Sequence, residues 1–99
     1  MLLLYNEKPI SIFMLDKDHR VRVEFCNVKM IMKPCQFILF NNYLTNLSRR
    51  LDENTDNVEL LLVKDSLNIT ISLIHFLQLC NGVQTVMAKQ FGYKSTLLN

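Results

Sequence analysis

The chain has no tryptophan, and its 99 residues hold only two glycines and two prolines. Gly82 and Gly92 cannot make a glycine-rich phosphate cradle, which needs backbone that approaches the ligand where only glycine fits. Nucleotide binding through the common loops is excluded. Charge of one sign is lacking as well: 11 Lys and Arg stand against 9 Asp and Glu, a formal net charge of +2, too weak a bias to imply nucleic acid or an acidic membrane. No apolar run approaches the roughly 20 residues that span a bilayer. The opening MLLL gives way at Tyr5 to Asn6, Glu7 and Lys8 with no basic stretch ahead of it, so no export signal is expected. Paired cysteines are missing too. Cys26, Cys35 and Cys80 are odd in number and widely spaced, which predicts reduced thiols and a cytoplasmic protein rather than a disulfide framework.

Apolar side chains are plentiful, at 49% hydrophobic against 20% charged. A chain of this length builds one core, so residues 1–99 are expected to form a single domain that folds without disulfide or metal. Two turn-forming clusters, NEKP at 6–9 and DKDH at 16–19, bracket an apolar run at 10–15 that reads as a strand. Residues 1–19 thus supply N-terminal strands. In RVRVEF, Arg20, Arg22 and Glu24 alternate with Val21, Val23 and Phe25, the pattern of a strand with one polar and one apolar face. After a break at Cys26 and Asn27, Val28, Met30 and Met32 alternate with Lys29, Ile31 and Lys33, which completes a hairpin.

At Pro34 the period changes from two to about 3.6, with Phe37, Phe40, Leu44, Leu47 and Leu51 striping one side of a helix that should end in DENTDN, 52–57. Pro34 suits a first helical position, where its missing N–H has no intrahelical partner to lose. The same order returns 39 residues later. Val58, Leu60 and Leu62, then Leu67, Ile69 and Ile71, predict a second hairpin. Ser72 is a good N-cap, and Phe76, Leu79, Val83 and Val86 form a second stripe that ends near Lys89 and Gly92. The predicted fold is α+β: a mostly antiparallel sheet of five to six strands, two helices packed on one face, and two ββα units at about 20–53 and 58–92, with 93–99 as a tail. Across that offset only Phe37 with Phe76 and Asn42 with Asn81 are identical in the helical halves. A true duplication and two independent units of like shape both remain open.

Chemistry-bearing residues are sparse. His75 lies at the start of the second helix, and Cys35 is one position from its repeat equivalent, so a Cys35–His75 pair would be the place to look for nucleophilic catalysis. His19, Cys26 and Cys35 are the only local set of metal-ligating types, without the short spacing that clamps zinc. Asp16 and Asp18 read as turn formers, and the methionines, Met30 and Met32 among them, as core filling. No catalytic residue, metal ligand or cofactor is therefore expected.

Two functions of different class follow. Leu61 and Val63 stand where the first unit has Arg22 and Glu24, so the sheet face away from the helices should expose Ile31, Leu61 and Val63 beside Thr70. Such a surface meets another protein or a second copy of the chain. The expected function is a non-catalytic interaction module: a small adaptor, regulator or subunit of a larger assembly. The alternative is RNA binding through Arg20, Arg22, Lys29 and Lys33 on the same face, with Arg49 and Arg50 at the end of the first helix. That reading is weakened by Glu24 and by the absence of an expected stacking aromatic on the face.

Overall fold

The computed structural model describes residues 1–15 and 19–92; Asp16, Asp18 and the tail 93–99 lie outside the described residues. The elements run β1 (Leu2–Glu7), β2 (Ile10–Met14), β3 (Val21–Phe25), β4 (Val28–Met32), α1 (Pro34–Ser48), β5 (Asn57–Leu62), β6 (Leu67–Ser72) and α2 (Leu73–Gln90). The chain is α+β, with two helices and six strands among the described residues, the strands all paired antiparallel.

One continuous sheet does not form. Strands β1 to β4 make a meander in sequence order, while β5 and β6 pair only with each other as a separate hairpin. Alternation fixes which way each side chain points but not which strand lies alongside, so the sequence pattern could not separate the two sheets. At the free edge of β5 the Leu61 N–H donates to the Tyr43 hydroxyl of α1 at 2.8 Å, which gives that donor a partner outside the ladder. The order strand, strand, helix does occur twice, but the two sets are not halves of one sheet. β3 is also paired on its other side by β2, and its counterpart β5 has no such neighbour among the described residues.

Both helices lie against the inner face of the four-stranded sheet, α2 over β1 and β2, and α1 over β4 and against α2. The two helical stripes are buried as the spacing predicts. Phe37, Leu44, Phe76, Leu79 and Val83 are at most 1% exposed, and they join Ile10, Ile12, Val21, Val23 and Phe25 from the sheet and Leu60 from the hairpin in one core. Met14, Met30 and Met32 pack against that core as filling. Pro34 holds the first helical position, and the Lys33 backbone N–H is capped by the Gln36 side chain at 2.8 Å. Ser72 caps α2, its Oγ accepting from the His75 N–H at 3.3 Å. α1 stops at Ser48, short of the expected DENTDN, because Asp52, Asn54 and Thr55 bond one another's side chains and backbone in a turn of their own.

A bulge in β1 decides what each face of the sheet displays. Leu3 lies opposite Phe13 and Tyr5 opposite Ile12, so Leu4 is the extra residue between them. Residues two apart on a regular strand share a face; here the bulge leaves Leu3 on the outer face and turns Tyr5 inward to α2. There the Tyr5 hydroxyl accepts from Asn81 Nδ2 at 3.2 Å.

Val63 is not on a strand. It opens the β5–β6 turn with φ +51°, followed by Lys64 and Asp65 at +53° and +66°. A β-branched residue is poorly tolerated in this left-handed region, whereas asparagine adopts it readily. Val63 is 65% exposed and has no packing to lose. Val63→Asn is expected to raise stability by about 1 kcal/mol in urea unfolding; an unchanged or lower midpoint would show that the turn carries no such strain.

Candidate functional site

Two places gather side chains that evolution could use: the outer face of the four-stranded sheet, and a cavity at the end of that sheet nearest the N-terminus of α2.

On the outer face, strand register builds two rows across all four strands. Leu3, Phe13, Arg22 and Ile31 are mutually opposite in one row; Asn6, Ser11, Glu24 and Lys29 form the other. Among the described residues no helix covers this face, and Leu3 and Ile31 are 50% and 54% exposed. The Arg22 guanidinium stacks over the Phe13 ring, 4.7 Å from its centroid, well within cation–π reach. Its Nε lies 2.8 Å from a Glu24 carboxylate oxygen, an ion pair close in distance although off-line as a hydrogen bond. The Asn6 side chain accepts from the Ser11 hydroxyl at 3.0 Å. The face is therefore apolar along one row except for Arg22, and balanced in charge along the other.

The surface expected from sequence is only partly assembled. Ile31 belongs to the outer face of the four-stranded sheet. Leu61 and Thr70 sit on the exposed face of the separate hairpin, where Leu61 is surrounded by polar groups: Asn68 lies opposite it, and the Asn68 amide donates to the Glu59 carboxylate. Val63, in the turn, shares no face with either. The segment MLLLY does not fold across this hairpin; it is the edge strand β1. Leu3 and Phe13 were the residues missed, and Phe13 supplies the aromatic that the face was expected to lack.

The basic set is scattered in the same way. Arg22 and Lys29 lie on the outer face, Arg22 engaged with Glu24 and Phe13. Arg20 precedes β3, Lys33 is the N-cap of α1, and Arg49 and Arg50 follow the end of α1 beyond the sheet.

The cavity, of about 420 Å³, is lined by Pro9, Ser11, Glu24, Cys26, Lys29 and His75, with neighbouring turn residues. Cys26 and Asn27 form the two-residue β3–β4 turn with φ +48° and +67°, the primed geometry that matches strand twist. This turn brings Cys26 Sγ to 4.0 Å from His75 Nδ1. His75 therefore faces Cys26 and not Cys35. The repeat offset had pointed to Cys35, but that relation assumed symmetric halves, and the hairpin turn reaches the α2 terminus first. Cys35 is exposed in the first turn of α1, while Cys80 is buried in α2, where desolvation pushes its thiol up from 9.0 to about 11. Cys26, Cys35 and Cys80 are all unbridged. Among the described residues no group of three or more His, Cys, Asp or Glu stands close enough to hold a metal ion, and no helix is long and apolar enough to cross a membrane.

No family model matches the chain, and neither does any curated protein or solved structure. The functional reading rests on the geometry of these two places.

Proposed function

We propose that the chain is a non-catalytic protein–protein interaction module, a small adaptor, regulator or subunit of a cytoplasmic assembly, that docks through the outer face of its four-stranded sheet. The observation that carries this reading is the row Leu3, Phe13, Arg22 and Ile31 on a face no helix covers. Phe and Arg are both enriched at interfaces relative to the rest of a protein surface, and Arg is among the residues that dominate their energy. Burying an apolar side chain such as Ile31 contributes about 1.5 to 3 kcal/mol, and roughly half of that remains ungained while the side chain is half exposed. The partner is another protein, and a second copy of the chain fits first. With Arg22 and Lys29 beside Glu24, the face carries a net charge of only +1, and a twofold axis lets the Glu24 of each copy meet a cation of the other.

Nucleic-acid contact has less support. It needs free cations in a track, whereas Arg22 is engaged and Lys33, Arg49 and Arg50 lie off the sheet. Raising salt separates the two readings, because phosphate contacts weaken steeply with salt and an apolar interface does not. The proposal expects an assembled mass that persists from low to high salt and no shift of a single-stranded RNA probe. Tight RNA binding that collapses as salt rises would overturn it.

A further inference from the structure

We infer that Cys26 and His75 form a thiol–disulfide exchange site, at which Cys26 is thiolated by a small disulfide that carries carboxylate and ammonium groups, of which glutathione disulfide is the model reagent. The inference does not rest on the docking proposal, although Ser11, Glu24 and Lys29 belong to both the cavity and the outer face. It starts from a thiol and an imidazole held 4.0 Å apart at the wall of a cavity of about 420 Å³, large enough for a small peptide-like ligand.

The backbone at these two positions requires neither a cysteine nor a histidine, although Cys26 also packs against the core. The turn at 26–27 requires left-handed backbone, which Asn, Asp or Gly adopt with less strain than Cys. His75 occupies the first turn of α2, and its contribution to the cap is its backbone N–H, which any residue but proline would provide. What the two add is chemistry: a nucleophile with a base in reach and an open space in front of both.

With the imidazole proton on Nε2, Nδ1 accepts the Cys26 proton. The sulfur then attacks one sulfur of the disulfide, the Cys26–sulfur bond forms as the reagent's S–S bond breaks, and the imidazolium returns the proton to the departing thiolate. One disulfide and one thiol go in, and a mixed disulfide and one small thiol come out, so the disulfide is the oxidant and no other is needed. Lys29 and Glu24, the latter already paired with Arg22, line the same cavity and offer opposite charges to a ligand's carboxylate and ammonium.

The chain carries its own controls. Cys35 also lies in a helix's first turn and is more exposed than Cys26, but it makes no hydrogen bond to an imidazole among the described residues; Cys80 is buried with its thiol held protonated. On brief exposure to glutathione disulfide followed by peptide mass mapping, Cys26 is expected to be modified at least about tenfold faster than Cys35, a modest share of what a positioned general base supplies. Cys80 should stay free. His75→Asn should slow Cys26 by about the same factor and leave Cys35 unchanged. Lys29→Ala should slow glutathione disulfide about two- to threefold, the effect of an exposed ion pair, and should not slow uncharged bis(2-hydroxyethyl) disulfide. Cys35 reacting as fast as Cys26 in the parent chain would overturn the site without any variant. An unchanged Cys26 rate in His75→Asn would remove the base, and equal effects of Lys29→Ala on both reagents would remove the charged ligand class.

Discussion

Phe76→Ala is expected to lower the unfolding free energy by about 3 to 5 kcal/mol, a large share of the roughly 5 to 15 kcal/mol that holds a small domain together. The ring is fully buried one residue after His75, on the α2 stripe that faces the sheet. It joins sheet, helices and hairpin in a single core, so its removal leaves a cavity that no one element can close by moving alone. The adjacent Leu77 is 48% exposed and serves as the comparison; Leu77→Ala should change stability by no more than about 0.5 kcal/mol. Urea midpoints read both. If the two variants melt alike, the side of α2 facing the sheet is misassigned.

The second large effect reverses an ordinary rule. Replacing a glycine within a helix by alanine usually stabilises by about 1 kcal/mol. Gly82 lies in the middle of α2, yet a Cβ built there would stand 2.7 Å from Tyr5 Cε2 and 2.8 Å from Cδ2. The contact is with the body of a ring anchored at its far end by the Asn81 amide, so the ring cannot swing aside without losing that bond. Gly82→Ala is therefore expected to destabilise by about 1 to 3 kcal/mol, the range for overpacking, by pushing β1 off the helix. In a Tyr5→Ala background the same substitution should turn neutral or stabilising. That change of sign in a double-mutant cycle is the diagnostic result. Destabilisation of equal size in both backgrounds would mean that α2 itself, not its contact with β1, rejects the side chain.

Much of this fold is legible in the sequence, because burial periodicity is a local property. Phe37, Phe40 and Leu44, and then Phe76, Leu79 and Val83, repeat at helical spacing and are all buried. Pro34 and Ser72 mark helix starts through chemistry internal to their own turns. What is not legible depends on lateral partners. Nothing in Val58, Leu60 and Leu62 tells whether β5 lies beside β4 or, as here, presents its edge to Tyr43. The extent of β5 was misread for a related reason, since Val63 continues the alternation of Leu61 in sequence while its backbone has already turned.

The outer face was half legible. Ser11 shares the parity of Phe13 in β2, and Ile10 and Ile12 are the buried partners, so the polar Ser11 signalled that Phe13 points outward. Leu3 gave no such signal, because the bulge at Leu4 changes its phase relative to Tyr5. The approach of Cys26 to His75 joins positions 49 apart, and it depends on how the β3–β4 turn meets the end of α2, which no spacing rule contains.

The central claim is that Leu3, Phe13, Arg22 and Ile31 form a docking face for a second copy of the chain. Sedimentation equilibrium on the parent and on Leu3→Lys with Ile31→Glu tests it most directly, since both side chains are half exposed and neither belongs to the core. The account predicts that the parent approaches twice its 11.6 kDa chain mass as concentration rises. The double variant should keep the parent's circular dichroism and stay at the mass of one chain. A parent that remains monomeric at every concentration, or a variant that assembles as the parent does, would contradict it.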